Sequence, residues 1–280
     1  MSVDLHLHSS ISDGSESPAD IVELAVAAGL SAIALTDHDI LDGIPQARAA
    51  AETHDLVFIS GVELSVDWKG AAMHMLMYFL EPGSGPLQDR LVAVREGRAI
   101  RNVAIIAALQ SHGVDVTMEE VAAVAGKGSM GRPHIARVLI DKGIVGSMSE
   151  AFDQWLATGR PGYVSRVRLD AFEAIDLARQ SGAVPVIAHP HTLALGADEY
   201  AGAFTDLTAA GLGGIEAYYT EYSQDLREHL AGICGDLGIA ATGGSDFHGT
   251  YKPDIKVGIG LGDLLVPDDS IQQLVAQASR

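Results

Sequence analysis

Two short segments near opposite ends of the chain carry metal-ligand residues at a spacing of two. Residues 4–8 read Asp-Leu-His-Leu-His, and residues 245–248 read Ser-Asp-Phe-His. Side chains of an extended strand alternate between its two faces, so residues two apart point the same way. His6 and His8 are therefore predicted to project together from the end of one strand, and Asp246 and His248 from the end of another. Imidazoles and carboxylates so placed are two halves of a metal site. The fold must then bring the two ends of the chain together.

Between these segments, short apolar runs alternate with helical patterns. Strands are predicted at residues 3–8, 31–36, 57–61, 72–80, 184–188, 214–218 and 239–242. Helices follow most of them, and the first has Ser17 as its N-cap, a proline at its first helical position and Gly29 at its end. Seven strands alternating with helices favour an α/β fold with a parallel sheet that closes into a barrel.

The pattern changes to helices alone between residues 83 and 163. After a Gly- and Pro-rich loop at 81–86, apolar residues recur at helical spacing and no strand is predicted. We therefore predict a barrel built from residues 1–82 and 164–280. Residues 83–163 are predicted to form a helical insert that caps the active site.

Composition limits the surroundings and the partners of the protein. No apolar run approaches the ~20 residues of a membrane span, and no signal sequence precedes the first strand, so a cytoplasmic location without a membrane partner is predicted. The single Cys234 agrees with a reducing compartment. The net charge of -19 argues against long duplex nucleic acid. It allows a small anionic substrate, because bound divalent cations reverse the local sign.

Five more candidate metal ligands lie at or near predicted strands. In parallel α/β barrels the carboxyl ends of the strands form the active site, and most of these residues fall there. His74 instead lies inside a strand pattern, and Asp13 lies in the first loop, close enough to return to the same edge. The five candidates are Asp13, His38, Glu63, His74 and His189.

These motifs resemble the signature of the polymerase and histidinol phosphatase (PHP) family. The resemblance rests on residues 4–9, 13–14, 36–39, 61–63, 188–190 and 245–248, and it covers the chain apart from the insert. Within that family the chain is most similar to phosphoesterases of nucleoside 3′,5′-bisphosphates and short 5′-phosphorylated oligonucleotides. That branch has a helical insert with a Gly-Arg-Pro-His element, which residues 131–134 match. The resemblance implies a distorted (β/α)7 barrel with a helical insertion domain.

The resemblance also implies three divalent metal ions. The first would be bound by His6, His8, Glu63 and Asp246. Glu63 would bridge to a second ion bound by His74 and His189. The third would be bound by Asp13, His38 and His248. Nitrogen and oxygen donors without thiolate favour Mn²⁺, with Fe²⁺ and Zn²⁺ as alternatives. Two bridged ions can lower the pKa of a shared water, which then attacks phosphorus as hydroxide.

The insert offers candidates for binding a phosphate that is not cleaved. The guanidinium of Arg132 could clamp such a phosphate through two hydrogen bonds, and the imidazole of His134 could add a third. The alternative is that this segment only starts a helix. Ser12, Ser15 and Arg160 are further candidates for phosphate contacts.

Three residues beside the predicted ligands are candidates for a catalytic or supporting role. His191, two residues after His189, could donate a proton to the leaving oxygen. Asp37 could orient a histidine ligand, as could Asp39. The alternative for both carboxylates is a solvent-facing loop position.

The predicted function is removal of the 3′-phosphate from nucleoside 3′,5′-bisphosphates, for example adenosine 3′,5′-bisphosphate to AMP. Trimming of short 5′-phosphorylated RNA in the 5′-to-3′ direction is a related expected activity. A histidinol-phosphate phosphatase is the second enzymatic hypothesis, although such a substrate needs no grip on a second phosphate. A metal-stabilised interaction module is the non-enzymatic hypothesis. Base preference and oligomeric state are left open by the sequence.

Overall fold

Eight strands form one sheet that curls into a nearly closed barrel. The computed structural model describes residues 2–126, 128–165, 168–196 and 198–279. The strands are β1 Val3–Leu7, β2 Ala32–Leu35, β3 Val57–Trp68, β4 Ala71–Tyr78, β5 Leu169–Asp170, β6 Val184–Ala188, β7 Gly214–Tyr219 and β8 Ala240–Gly244. Their order in the sheet is β1-β2-β3-β4-β6-β7-β8, and β5 pairs with β3. The segment after β8 returns to β1, where Asp246 N–H donates to the carbonyl of His6. The predicted barrel and the convergence of the two chain ends are confirmed.

The sheet departs from the prediction in two places. β3 does not end at Gly61 but continues to Trp68, and it forms an antiparallel hairpin with β4, which is also antiparallel to β6. Glu63 therefore lies within a paired strand rather than beyond a strand end, whereas His74 lies inside β4 as predicted. The two-residue strand β5 was not predicted, because a segment this short has no readable alternation.

Ten α-helices surround and cap the sheet in the described residues. They are α1 Pro18–Ala27, α2 Ile44–Ala51, α3 Pro86–Ser111, α4 Met118–Ala125, α5 Arg132–Asp141, α6 Met148–Ala151, α7 Ala171–Gln180, α8 Tyr200–Ala209, α9 Gln224–Leu237 and α10 Asp269–Ala278. Helix α1 begins as predicted, with the Ser17 hydroxyl accepting a hydrogen bond from the N–H of Asp20. No α-helix in the described ranges is both long and apolar enough to cross a membrane.

The apolar core is arranged in layers. A large cluster lies between the sheet and the outer helices, and a smaller cluster fills the barrel interior. Within the interior, the Tyr78 hydroxyl of β4 donates to the Leu5 carbonyl of β1 at 2.9 Å. Leu274 of α10 is fully buried in this interior cluster. Helix α10 was not predicted from the sequence, and it packs against β6 and β8.

Helices α3 to α6 form an apolar cluster of their own. Ile105 and Leu109 of α3 pack in this cluster, whereas Leu87 and Leu91 at the start of α3 pack with the main core. Helix α3 therefore connects the two clusters. This arrangement supports the predicted insert at residues 83–163, whose boundaries stay a prediction.

Three non-glycine residues adopt left-handed backbone conformations where β2, β6 and β8 end. The φ angles are +59° at Asp39, +27° at His189 and +55° at Asp246. Such conformations cost of order 1–3 kcal/mol and persist where surrounding contacts enforce them, often at functional sites. Backbone strain at these three strand ends is typical of the functional edge of a barrel.

Gly244 lets β8 approach β1 closely beside His6, and its substitution should destabilise the fold. A Cβ at Gly244 would lie 2.4 Å from the Cβ of His6, closer than packed atoms allow. We expect Gly244→Ala to lower the free energy of unfolding by about 1–3 kcal/mol, because the two strands must separate. Chemical denaturation of the metal-free protein would measure the change.

Gly232→Ala is the matched control for this substitution. Gly232 lies in α9, and a methyl group added there would meet no neighbouring atom within 4 Å. Alanine favours a helix interior over glycine by up to about 1 kcal/mol, so this variant should be as stable as the wild type or more so. Equal stabilities of the Gly244→Ala variant and the wild type would show that β1 and β8 are not held this tightly.

Candidate metal centre

The nine predicted metal ligands lie together at the edge of the barrel. They form three groups, and within each group the donor atoms lie within 4.8 Å of one another. The groups are His6, His8, Glu63 and Asp246; Glu63, His74 and His189; and His8, Asp13, His38 and His248. The expected division of ligands thus matches the geometry, with His8 also reaching the third group.

Glu63 lies at the centre, and its two oxygens face different groups. Oε1 is 2.7 Å from His74 Nδ1 and 3.0 Å from His189 Nε2. Oε2 is 3.1 Å from His8 Nε2 and 3.3 Å from His6 Nε2. A carboxylate placed in this way can bind one cation with each oxygen. The geometry therefore suits a bridging ligand.

The spacing of the donor atoms fits divalent cations. Ligands about 2.1 Å from one ion, at ordinary bond angles, lie about 3.0–3.4 Å from each other. Here His6 Nε2 and His8 Nε2 are 3.1 Å apart, and His8 Nε2 is 3.3 Å from Asp246 Oδ1. In the third group, His248 Nε2 is 3.4 Å from Asp13 Oδ1. Six imidazoles and three carboxylates held at these distances form a donor set suited to metal binding.

A buried ring nitrogen without a hydrogen-bond partner supports the same conclusion. Among the described residues, Nδ1 of His8 is buried without a hydrogen-bond partner, although it lies 3.7 Å from Asp13 Oδ1. Buried polar atoms are normally paired, so an unpaired imidazole nitrogen aimed at a carboxylate indicates a position for a cation.

Charge and burial act in opposition on the ionisable groups of the cluster. Burial alone would raise the pKa of the Glu63 carboxyl, but the histidines around it hold that pKa well below its usual range. Burial would lower the pKa of His8, yet Asp246 and Glu63 outweigh it and raise that pKa to about 9. For His38 burial prevails and lowers the pKa to about 3. Without bound cations, the cluster therefore keeps a proton on His8 at neutral pH.

Three residues behind the ligands were not identified from the sequence. The Glu216 Oε1 atom lies 2.9 Å from His6 Nδ1, and the Tyr219 hydroxyl donates to Asp246 Oδ2 at 2.9 Å. The ammonium group of Lys252 lies 2.5 Å from the same Asp246 oxygen. A carboxylate inside the apolar strand β7 was a usable signal for Glu216. The sequence around Lys252 offered none, because that contact depends on how the loop after β8 folds back.

A cavity of about 310 Å³ opens over the cluster. Seven of the predicted ligands line one side of it, and four cationic side chains line the rest. The cations are Arg98, Arg101, Arg132 and Lys252. The first three belong to α3 and α5, and Arg98 is ion-paired with Asp39 at the end of β2. The cavity therefore combines a candidate cation site with a lining suited to anions.

Two of the other predicted site residues line this cavity. Arg132 reaches it from the start of α5, where its guanidinium lies over the Phe152 ring and donates to the Leu156 carbonyl at 3.3 Å. His191 also lines the cavity, and its Nδ1 lies 3.2 Å from the Tyr222 hydroxyl. Both positions are compatible with the predicted contacts to substrate.

The remaining candidates lie outside the lining of the cavity among the residues described. The Ser12 hydroxyl donates to Asp37 Oδ1 at 2.6 Å, and Asp37 also accepts from Ser9, so these groups brace the first loop rather than a histidine ligand. The Ser15 hydroxyl accepts from the Thr250 N–H at 2.9 Å. The sequence placed these residues near the motif but could not show which hydrogen bonds they form.

The two other insert candidates are also placed differently from the expectation. His134 is buried, and its Nδ1 accepts from the Gly131 N–H at 3.0 Å, which caps its own helix. Arg160 is exposed and does not line the cavity. Of the Gly-Arg-Pro-His segment, Arg132 and Pro133 line the cavity, and Arg132 is the polar side chain that reaches the site.

Metal affinity should increase as pH rises toward 9. A cation must displace the proton that His8 keeps through a pKa of about 9, so binding is opposed at lower pH and this opposition disappears as pH rises through that value. Equilibrium dialysis against Mn²⁺ at pH 6.5, 7.5 and 8.5 would measure the trend. Affinity that is flat over this range would contradict a protonated cluster.

Comparisons with known proteins agree with the geometry. Residues 4–253 match the model of the PHP domain. A 3′,5′-nucleoside bisphosphate phosphatase from Chromobacterium violaceum is 34% identical over 91% of this chain and 90% of its own length. A 5′-3′ exoribonuclease from Haemophilus influenzae is 32% identical over 88% of this chain and 89% of its own length.

A solved structure from Chromobacterium violaceum has a similar fold. It is described as an amidohydrolase with bound sulfate and no metal, and it superposes with a TM-score of 0.88 at 31% identity. The alignment covers 99% of this chain and 97% of that one. The strand order, the ligand cluster and these matches together show that the chain belongs to the PHP domain family.

Proposed function

We propose that the protein is a metal-dependent phosphoesterase that removes the 3′-phosphate from nucleoside 3′,5′-bisphosphates, such as adenosine 3′,5′-bisphosphate. One observation carries this proposal: a cluster of imidazoles and carboxylates faces four cationic side chains across a single cavity. The cluster suits the phosphate that is cleaved. The cations suit a second phosphate on the same substrate, as the relative that acts on nucleoside bisphosphates would require.

The proposal includes three divalent cations, with Mn²⁺ as the first choice and Fe²⁺ or Zn²⁺ as alternatives. When bound, such cations neutralise phosphoryl oxygens and activate water. The chain would hold them through the three groups of ligands described above. Tyr219 and Lys252 both bind Oδ2 of Asp246, so Oδ1 is left to face His6 and His8.

The insert would bind the phosphate that remains on the product. Arg132 and Arg101 line the cavity from α5 and α3, and an arginine can form two parallel hydrogen bonds to a phosphate. Arg98 is fixed by Asp39, so it holds positive charge at the boundary between the insert and the barrel. These cations allow a protein with a net charge of -19 to attract an anion locally.

His191 is the proposed proton donor to the leaving 3′-oxygen. Burial, followed by the nearby His189, lowers the pKa of His191 in the free protein. A phosphate dianion in the cavity would raise that pKa, because a nearby negative charge favours the imidazolium. The hydrogen bond between His191 Nδ1 and Tyr222 would hold the ring in place.

Trimming of short 5′-phosphorylated RNA is a second candidate function. It would require the same two features, a phosphate held by cations and the neighbouring ester placed over the cluster, and the exoribonuclease relative supports it. Inorganic phosphate released from the bisphosphate, compared with mononucleotides released from an oligomer, would separate the two activities. The four cations make a histidinol-phosphate phosphatase a weaker hypothesis, and a cytoplasmic location stays a prediction.

Loss of one central ligand should abolish hydrolysis. We expect His8→Ala or Asp246→Ala to lower kcat/KM for adenosine 3′,5′-bisphosphate on the order of a hundredfold or more, because each removes a donor to the proposed cations. Phosphate release with added Mn²⁺ would measure the loss. His112→Ala, at the exposed end of α3, is the control and should keep wild-type rates. Wild-type rates in either ligand variant would refute the proposed site.

Arg132 should matter only for substrates with a second phosphate. Removing a charged hydrogen-bond donor costs about 1.5–3 kcal/mol, so Arg132→Ala should raise KM for the bisphosphate by about tenfold to a hundredfold. KM for a simple aryl phosphate should change little. Arg160→Ala removes an exposed arginine that does not line the cavity, and it should affect neither substrate. Equal effects of Arg132→Ala on both substrates would mean that Arg132 does not hold the second phosphate.

A further inference from the structure

Glu216 of β7 is a fully buried carboxylate that joins two of the proposed ligands without facing a cation position. Its Oε1 atom lies 2.9 Å from His6 Nδ1, on the side of the ring opposite the cluster. Its Oε2 atom accepts from the backbone N–H of His189 at 2.7 Å. The side chain has no exposed surface. One carboxylate thus contacts the ring of one ligand and the main chain of another.

The two ligands belong to different groups of the metal centre. His6 Nε2 lies in the first group, 3.1 Å from His8 Nε2, and His189 Nε2 lies in the second, 3.0 Å from Glu63 Oε1. Glu63 connects these groups through its two oxygens, and Glu216 connects them again from behind. The distance between the two proposed cations is therefore constrained by two carboxylates.

The two contacts of Glu216 fix the tautomer of His6 and the backbone conformation of His189. A proton on His6 Nδ1 that is donated to Glu216 leaves the Nε2 lone pair available to a cation. His189 has a left-handed backbone, with φ at +27° and ψ at +64°, and its N–H is held by Glu216. The strained turn after β6 is thereby locked in the position that points its imidazole at Glu63.

We propose that Glu216 is a positioning residue that sets the separation of the first two cations by orienting His6 and locking the backbone of His189. This inference rests on the proposed three-metal centre. It requires two acceptors on one side chain, and a carboxylate supplies them. Glutamine has the same shape but offers a single acceptor oxygen, because its amide nitrogen only donates. Glu216→Gln therefore breaks one of the two contacts with little change in volume.

Glu221→Gln is the matched control. Glu221 lies five residues further along the chain, its side chain is 54% exposed, and it is 3.7 Å from His191 rather than next to a proposed ligand. This substitution also removes one negative charge near the cavity. Any general effect of lost charge on cation binding should appear in both variants.

The test measures bound Mn²⁺ directly. Wild-type protein, Glu216→Gln and Glu221→Gln would be stripped with chelator and then dialysed against Mn²⁺. Bound metal per chain would be counted, and electron paramagnetic resonance would detect spin coupling between bridged ions. We expect the wild type and Glu221→Gln to bind three ions, two of them coupled. Glu216→Gln should lose the coupled signal and bind the paired ions about 10–100-fold more weakly. The third ion, held by Asp13, His38 and His248, should remain.

Two results would overturn the role of Glu216. One is a coupled signal and an affinity in Glu216→Gln that equal those of the wild type. The other is equal weakening at all three positions, which would indicate a general structural role. If the wild type itself binds no coupled pair, the proposed metal centre fails and this inference fails with it. If the wild type binds the coupled pair and hydrolyses the bisphosphate, a Glu216→Gln variant with wild-type metal binding refutes the role of Glu216. The proposed function would then stand.

A measurement on the wild type keeps the proposal testable if Glu216→Gln does not fold. Nitrogen NMR of histidine-labelled protein loaded with Zn²⁺ would report the ring of His6. We expect its Nδ1 to carry the proton and its Nε2 to bind the ion. The reverse arrangement would show that Glu216 does not select the tautomer.

Discussion

The architecture depends on a carboxylate that has almost no contact with water. Glu63 is 1% exposed, and its oxygens lie within 3.3 Å of nitrogen atoms from five histidines. A buried carboxylate without positive partners is strongly unfavourable, so either protonated imidazoles or bound cations must surround it. The segments that carry those imidazoles must therefore end or turn at the same edge of the barrel. Other buried carboxylates hold these segments in place. Asp4 accepts from the N–H groups of Ser245 and Gly258, and burial raises its pKa to about 6.

The cavity and the rest of the protein have opposite electrostatic character. The chain carries a net charge of -19, yet four cations line the cavity that opens over the ligand cluster. Three of them come from α3 and α5, whereas the barrel supplies only Lys252, which is already paired with Asp246. The barrel accordingly carries the cluster of candidate metal ligands, and the helices above it carry three of the four cations that face the cluster.

Local sequence pattern was enough to predict where most of the candidate ligands lie, but not the groups that support them. His6 and His8 could be paired because the alternation of a strand is set by neighbouring residues, and the structure places their Nε2 atoms 3.1 Å apart. The length of β3 was misjudged because its extension depends on pairing with β4, which is a tertiary contact. The sequence of β7 indicates that Glu216 is a buried carboxylate, but it does not indicate which two groups hydrogen-bond to it. Those partners come from β1 and from the turn after β6, which are distant in sequence.

The predicted substrate contacts of Ser12 and His134 were less successful, because their hydrogen bonds also depend on tertiary structure. A hydroxyl or imidazole near a motif has several partners within reach, and which one it takes depends on angles that the sequence does not contain. Ser12 donates to Asp37, and His134 caps its own helix, so each is satisfied before any substrate arrives. Arg132 differs, because a long side chain at the start of α5 can reach the cavity while its backbone remains in the helix.

Direct bonds also relate the cationic side of the cavity to the ligand cluster. Arg98 of α3 is ion-paired with Asp39, and the backbone N–H of Asp39 donates to the carbonyl of Glu63 at 3.0 Å. The left-handed conformation of Asp39, with φ at +59°, lets one residue make both contacts. Helix α3 is therefore tied to the backbone of Glu63 by two consecutive interactions as well as by apolar packing. Packing alone tolerates small sliding movements, whereas a buried ion pair and a backbone hydrogen bond tolerate little. A substrate with two phosphates at a fixed separation would require such a connection, because each phosphate must meet its own site at the same time.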